Sequence, residues 1–179
     1  HQVSEQFFEL FKELQSRDIT FVAASGRQYN SIIDKLAPIK DEIIVIAENG
    51  GFAKKQDTEI LVTPLDQQRV TEILATLNKI PNIHPVLCGK HQAYLTNKSN
   101  EFVNKLAEYY TEFEIIDNLN TFTSEVIKIA IYHFESSEQF IYPFVKHFEK
   151  DLKVKVSGEN WLDISNMNAH KGYALSKVM

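Results

Sequence analysis

The stretch ITFVAASGR, residues 19–27, decides the fold, because an apolar run ends there in a hydroxyl, a glycine and a cation. Residues 19–24 are mostly apolar without strict alternation, which is typical of a strand covered on both faces in a parallel sheet. Residues 43–51 repeat the pattern, with the apolar run IIVIA followed by the glycine-containing loop ENGG. In open α/β sheets, ligands bind beyond the carboxyl ends of such strands. We therefore predict that any site lies where these two loops meet.

Helices predicted around the two strands give an α/β order. Apolar residues at helical spacing predict a helix over residues 4–16, with Ser4 as its N-cap, and another over residues 29–36. Residues 52–63 then predict a hairpin that leaves the parallel sheet. Residues 1–65 are thus predicted to form the first part of an α/β core.

The middle of the chain has a different pattern, in which helices alternate with pairs of strands. Two helix–strand–strand units are predicted, the first starting after Asp66 and the second with a helix over residues 137–150. Pro143 predicts a kink or a later start in that helix. A strong strand is predicted over residues 126–134, with its three isoleucines on one face. This pattern predicts an inserted α+β domain.

The predicted division of the chain is a core segment at residues 1–65, the inserted domain at residues 66–165 and a second core segment at residues 166–179. The chain opens with His1 instead of Met and closes inside a predicted helix over residues 171–179. We therefore expect a piece of a longer protein, with both ends artificial.

The composition excludes several classes of protein. With 44% hydrophobic and 24% charged residues, the chain matches neither disordered nor collagen-like sequences. The formal charge of -5 without a basic run argues against a nucleic-acid partner or an anionic membrane surface, and no apolar run could span a bilayer. The one cysteine, Cys88, is interpreted as a buried thiol, and the lack of a signal-peptide pattern predicts a cytoplasmic protein. The oligomeric state is not predicted.

The loop after the first strand could bind an anion. The hydroxyl of Ser25 and the amides of Gly26 and Arg27 would form donors that face a phosphate. The same residues allow a structural interpretation, in which Ser25 caps the next helix and Gly26 lets the chain turn.

The second loop and the last helix add further candidates. Asn49, Gly50 and Gly51 suit a turn with positive φ, and Glu48 is either a solvated charge or a polar wall of the site. Lys171 starts the last helix, where a cation opposes the helix dipole, so it indicates an anionic partner or else a tolerated exposed lysine.

Other chemistry-bearing residues indicate less. The histidines show no metal-like pairing, although His170 adjoins Lys171. Trp161, Tyr109 and Tyr110 are interpreted as core of the inserted domain instead of a substrate platform. A nucleotide-binding Rossmann domain is disfavoured because no G-x-G-x-x-G follows either early strand.

Three motifs in order, FVAASGR, IAENGGF and NAHKGYAL, with a long insertion before the third, resemble the Cof-type branch of the haloacid dehalogenase-like phosphatases. The resemblance implies a Rossmann-like core and an α/β cap at residues 66–165 that selects the substrate. It implies that Ser25 is the phosphate-binding hydroxyl and that Lys171 neutralises the phosphoryl oxygens and the nucleophile. The Asn49-Gly50 loop matches a family element close to the substrate entrance.

Two family motifs are absent from the sequence. It contains no Asp-x-Asp pair for the nucleophile and the acid/base, and no Gly-Asp-x-x-x-Asp-like loop for Mg²⁺. We expect both beyond the ends of this chain. The full-length parent is then expected to hydrolyse small phosphorylated metabolites such as sugar phosphates through an aspartyl-phosphate, with Mg²⁺, while the 179-residue chain is inactive. The alternative is a non-catalytic module that binds or senses a phosphate ligand.

Overall fold

The computed structural model of the chain describes residues 3–179, and none of the helices in this part is long and apolar enough to cross a membrane. The elements in chain order are α1 (Glu5–Ser16), β1 (Val22–Ala24), α2 (Tyr29–Lys35), β2 (Ile44–Ala47), β3 (Phe52–Lys55), β4 (Thr58–Val62), α3 (Gln67–Leu77), β5 (Ile83–Cys88), β6 (Ala93–Leu95), α4 (Asn100–Ala107), β7 (Phe113–Ile115), β8 (Lys128–His133), α5 (Ser137–Phe140), α6 (Tyr142–Val145), β9 (Leu152–Val156), β10 (Trp161–Asn166) and α7 (Lys171–Val178). Short 3₁₀ turns join several of them. The strands form two sheets within the described part.

The first unit is built on the sheet β1-β2-β3-β4. β1 and β2 are parallel, with Val22 opposite Ile44, and β3 and β4 continue the sheet as an antiparallel hairpin. These two sequence predictions are confirmed. β1 is shorter than predicted, because the amide of Ile19 bonds the carbonyl of Leu14 and so closes α1 instead of pairing in the sheet.

Helices cover both faces of this sheet, and successive side chains of β2 pack alternately against the two helical layers. Val45 and Ala47 pack in the cluster that contains α1 and α2. Ile46 packs on the other face with Ala174 of α7. The last helix therefore belongs to the first unit, although the whole second sheet separates it from β4 in the sequence.

The second unit is built on the sheet β7-β6-β5-β8-β10-β9. Its central strand β8 is buried along its whole length. α3, α5 and α6 pack on one face, and α4 packs on part of the other. The helix predicted over residues 137–150 is broken into α5, α6 and a 3₁₀ turn, with Pro143 in the first turn of α6, where a proline needs no amide partner.

The two chain crossings between the units lie side by side. The side-chain amide of Asn166, the last residue of β10, donates to the carbonyl of Pro64, before α3, at 3.2 Å. Ile127, just before β8, packs in the core of the first unit with Phe52. The prediction that it shares a face with the isoleucines of β8 is therefore wrong, since those two belong to the core of the second unit.

Candidate functional site

Three loops predicted to carry the site lie against one another in the structure. The amide of Asn49 donates to the carbonyl of Ser25 at 3.1 Å. A Cβ atom at Gly26 would lie 2.6 Å from Oδ1 of Asn49, and one at Gly50 would lie 2.3 Å from the carbonyl carbon of His170. The Asn49-Gly50 loop therefore separates the Ser25 loop from the start of α7.

The middle loop needs left-handed backbone at successive residues. Glu48, Asn49 and Gly50 have φ values of 48°, 60° and 108°. The predicted positive-φ turn is confirmed for Asn49 and Gly50. Gly51 has a φ of -75°, and its lack of a side chain serves packing instead, because a Cβ would lie 2.2 Å from Cγ2 of Ile127. A left-handed Glu48 costs about 1–2 kcal/mol, which indicates that the surrounding contacts fix this loop.

Ser25 is half-buried, and its Oγ accepts a hydrogen bond from the amide of Arg27 at 3.2 Å. The alternative that Ser25 caps the next helix is wrong, because the N-cap residue of α2 is Gln28. With Oγ as the acceptor of that bond, the hydroxyl proton of Ser25 is left to donate to a ligand. Of the two amides predicted to face an anion, that of Arg27 is already engaged.

Lys171 is the first residue of α7 and is exposed. His170 precedes it as the N-cap, and its Nδ1 accepts from the amide of Tyr173 at 3.0 Å. Within residues 3–179, no ion pair holds the ammonium of Lys171. Because Gly50 has no side chain, the backbone at the start of α7 can lie close to the Asn49-Gly50 loop.

A cavity of about 240 Å³ opens beside the Ser25 and Asn49 loops, between the two units, and of the predicted site residues Gly50 and Lys171 do not line it. The first unit lines it with Ser25, Gly26, Arg27, Gln28 and Asn49, and the second unit with Tyr109, Tyr110, Lys128, Lys155, Ser157, Trp161 and Asp163. Among these described residues, the cationic side chains are Arg27, Lys128 and Lys155. Two carboxylates oppose them, Asp163 in the wall and Glu48 behind it, and both face Lys128. The excess positive charge suits an anionic ligand.

The aromatic residues of the second unit have two roles. Tyr110 and Trp161 are buried in the cluster under α4, as predicted. Tyr109 is 42% exposed and only packs edge-on against Trp161, with ring centroids 5.6 Å apart, so its interpretation as core is wrong. All three also line the cavity, which the sequence interpretation did not include. The indole Nε1 of Trp161 is buried without a hydrogen-bond partner in the described part of the chain.

Sequence reasoning named Glu48 but missed the two buried charges that line the cavity, Lys128 and Asp163. Glu48 is 2% exposed, so its interpretation as a solvated charge is wrong, and it lies behind this wall. Nζ of Lys128, on β8, lies 2.8 Å from Oε2 of Glu48 and 3.7 Å from Oδ2 of Asp163, on β10. Burial raises the pKa of Glu48 against the lowering effect of Lys128. Burial alone would lower the pKa of Lys128, but Asp163 and Glu48 raise it well above its ordinary value, so the ammonium stays charged. A lysine and an aspartate inside apolar strands were the available sequence signal.

The start of α2 is hydrogen-bonded to the loop that follows α4. Gln28 is only 2% exposed. Its Nε2 donates to the carbonyl of Glu112 at 2.8 Å, and its Oε1 accepts from the amide of the same residue at 3.1 Å. Ser31 Oγ donates to the carbonyl of Tyr109 at 3.2 Å, and Nη1 of Arg27 donates to that of Glu108 at 3.4 Å. The loop after β1 and the second unit are thus joined directly.

Two further sequence interpretations concern the thiol of Cys88 and a possible metal site. Cys88 is buried, and burial is the main cause that raises its pKa to about 12, so the interpretation as a buried thiol is confirmed. Among residues 3–179, no three His, Cys, Asp or Glu side chains are grouped to hold a metal ion. The described residues therefore do not provide a ligand set for Mg²⁺.

Comparison with known proteins identifies the relatives of this chain. It is 26% identical to 5-amino-6-(5-phospho-D-ribitylamino)uracil phosphatase YbjI of Escherichia coli (strain K12), over 97% of this chain and 65% of that protein, so it spans less than two thirds of the relative's length.

The fold matches solved structures over 99% of the chain. SMU.1108c from Streptococcus mutans UA159 matches with a TM-score of 0.87, 22% identity and 68% of its own chain covered. A haloacid dehalogenase-like hydrolase from B. subtilis gives 0.82, 20% and 72%, and the HAD subclass IIB sugar phosphatase BT4131 gives 0.79, 16% and 68%. The predicted α/β fold, a Rossmann-like core with an α+β cap, is consistent with these matches. The sequence model of the haloacid dehalogenase-like hydrolases matches residues 1–179, and the chain therefore belongs to this family.

Proposed function

We propose that this chain is the phosphate-binding and substrate-binding part of a phosphatase that hydrolyses small phosphate monoesters, such as sugar phosphates. The observation that carries the proposal is the meeting of the Ser25, Asn49-Gly50 and Lys171 segments, the first two of which line a cavity with excess positive charge. The function of YbjI as a phosphatase and of BT4131 as a sugar phosphatase supports the same class of reaction.

Each predicted site residue has a role in this proposal. The hydroxyl of Ser25 and the amide of Gly26 donate to the phosphate oxygens. Arg27 and Lys171 add positive charge, and charge-assisted hydrogen bonds of this kind are about twice as strong as neutral ones. Asn49 and Gly50 hold the segments together. Residues 66–165 act as the cap, and their cavity wall selects the remainder of the substrate.

The proposal assigns binding, and not attack, to the residues of this chain. The sequence has no Asp-x-Asp pair, so a nucleophile of that type is not among them. In the full-length protein we propose an aspartyl-phosphate intermediate, formed when a carboxylate displaces the alcohol from phosphorus. Mg²⁺ would offset charge in such a site, but the described residues do not group ligands for it, so no step of the reaction is assigned to it.

The test is phosphate release by the full-length protein from a panel of phosphorylated sugars, in the presence of Mg²⁺. Ser25→Ala and Lys171→Ala should each lower kcat/KM by about 100- to 1,000-fold, the usual effect of losing one donor at a developing charge. Matched controls are Ser16→Ala, at the exposed end of α1, and Lys177→Ala, further along α7. Both controls should retain activity.

Two outcomes would contradict the proposal. Mg²⁺-dependent release by the 179-residue chain alone would show that attack does not require a further carboxylate. Phosphate binding without any turnover by the full-length protein would instead favour the alternative, a non-catalytic module that binds a phosphate ligand.

A further inference from the structure

Two charged side chains stand as diagonal neighbours on the cavity face of the second sheet. The antiparallel register of β8 and β10 places Asp163 opposite Ala130 and Ser165 opposite Lys128. Lys128 and Asp163 therefore project from the same face, two residues apart along the ladder. Both line the cavity, while their side chains are only 4% and 10% exposed.

This arrangement of charges is costly if it serves packing alone. Lys128 faces the carboxylates of Glu48 and Asp163 together. Within residues 3–179, Oε1 of Glu48 is buried without a hydrogen-bond partner. Removing such charges from water is often so unfavourable that apolar residues of the same volume stabilise a fold equally well. Lys128 and Asp163 are the two members that line the cavity, so a ligand that bonds them would explain why charged groups occupy this wall.

Asn49 connects this wall with the Ser25 loop. Its Nδ2 donates to Oδ2 of Asp163 at 3.2 Å, while its Oδ1 lies against Gly26. The side chain of Asn49 thus lies between the Ser25 loop and the charged wall at Asp163. A small phosphomonoester whose phosphate lies at Ser25 would extend past Asn49 to reach Asp163 and Lys128.

We propose that Lys128 and Asp163 are specificity-determining residues that recognise a hydrogen-bond acceptor next to a donor on the part of the substrate remote from its phosphate. An ammonium can only donate, and a carboxylate can only accept. In the described part of the chain, Oδ1 of Asp163 has no hydrogen-bond donor, so it is available to a ligand. This inference rests on the proposed phosphatase function.

The required pair of groups occurs in two kinds of compound. Neighbouring hydroxyls of a sugar or polyol provide it, and so does the N–H and C=O edge of a lactam ring. Trp161 and Tyr109 add an aromatic wall that either can contact. A simple alkyl phosphate has no such pair and would leave Lys128 and Asp163 without new partners.

The experiment compares three esters of similar chain length on the full-length protein. Erythritol 4-phosphate carries neighbouring hydroxyls, 4-(uracil-1-yl)butyl phosphate carries a lactam edge, and butyl phosphate carries neither. Asp163→Asn and Lys128→Met should lower kcat/KM by about 10- to 150-fold for an ester that carries the recognised pair, since charged hydrogen bonds are lost. For butyl phosphate, the change should stay below about threefold, within the scatter of an uninvolved position.

The matched control is the exposed ion pair of Lys98 and Asp117 in the same unit, 3.9 Å apart. Lys98→Met and Asp117→Asn should leave all three esters unaffected. A loss confined to the erythritol ester assigns a diol, and a loss confined to the uracil ester assigns a lactam edge. An equal loss for all three esters would overturn the proposal, because it would mean that the charged residues only join the two units.

Two measurements keep the proposal distinct from the phosphatase assignment. If no ester is hydrolysed, the proposed function fails, and calorimetric binding of the same three esters still tests Lys128 and Asp163. If a variant does not fold, the three esters are compared on the unmodified protein alone. Equal affinity and equal kcat/KM for all three would overturn the recognition of a donor–acceptor pair.

Discussion

The side-chain amide of Gln28, on the first unit, forms two hydrogen bonds to the backbone of Glu112, on the second. Its Nε2 donates at 2.8 Å and its Oε1 accepts at 3.1 Å, in the manner of a neighbouring strand. Gln28 follows the Ser25 loop directly, so the position of the second unit is tied to the loop proposed to bind phosphate.

Gln28→Ala should lower the free energy of unfolding by about 1–3 kcal/mol, because it leaves the backbone groups of Glu112 without their partners. Urea unfolding measures the change. Gln68→Ala is the matched control and should change stability by less than about 0.5 kcal/mol, since within residues 3–179 the side chain of Gln68 bonds only Glu72, on the exposed surface of α3. Equal effects of the two substitutions would contradict the role of Gln28.

Gly50→Ala should destabilise the protein by at least about 2 kcal/mol. The new Cβ would lie 2.3 Å from the carbonyl carbon of His170, and Gly50 has a φ of 108°. Gly158 is the comparison, because nothing lies within 4 Å of a Cβ placed there. Thermal unfolding of Gly50→Ala and Gly158→Ala should therefore differ strongly, and a similar Tm for both would show that the contact with His170 is not tight.

Stability should fall as the pH rises above about 9. The pKa of Cys88 is raised from 9.0 to about 12 in the folded chain, chiefly by burial. Between these values the unfolded chain loses its proton first, which favours unfolding by up to about 1.4 kcal/mol per pH unit. Burial also raises the pKa of Tyr110, which adds to the loss at higher pH.

Cys88→Ala provides the check on this pH dependence. Urea unfolding between pH 8 and 10 should show a shallower decline for the variant than for the parent, because the variant lacks the thiol that titrates first. Parallel curves would indicate that the thiol of Cys88 is accessible and has an ordinary pKa.

Ligand binding should change the fluorescence of Trp161, the sole tryptophan of the sequence. The indole lines the cavity, and its Nε1 is buried without a partner in the part of the chain that the structure describes. Titration with a phosphorylated polyol should shift or quench the emission in a saturable manner. Addition of the unphosphorylated polyol at the same concentration is the control, and equal responses to both would argue against binding in this cavity.

Local patterns predicted the first unit well. The two apolar runs with polar loops at their carboxyl ends predicted the parallel pair of β1 and β2 and the meeting of their loops. In the second unit, Pro143 marked the break between α5 and α6, because a proline restricts any helix in the same way. These features depend on a few consecutive residues, which is why a single sequence contains them.

The cavity wall could not be predicted in the same way. Lys128 and Asp163 meet only because β8 and β10 pair in one particular register, and Gln28 meets Glu112 only because the second unit folds back on α2. Ile127 continues the isoleucine spacing of β8 in the sequence but lies just before that strand and packs in the first unit. Such contacts depend on the packing of distant segments, which neither spacing nor propensity determines.

The hydrogen bond between Asn166 and Pro64 holds the two chain crossings side by side, as the two strands of one hinge. Two units that are linked only at such a hinge by the covalent chain can rotate about it. Such a rotation would part the bonds from residues 27–31 to residues 108–112, together with the contacts of Glu48 with Lys128 and of Asn49 with Asp163, while leaving every strand pairing intact. Entry of a ligand into the cavity would then be governed by these side-chain contacts between the two units.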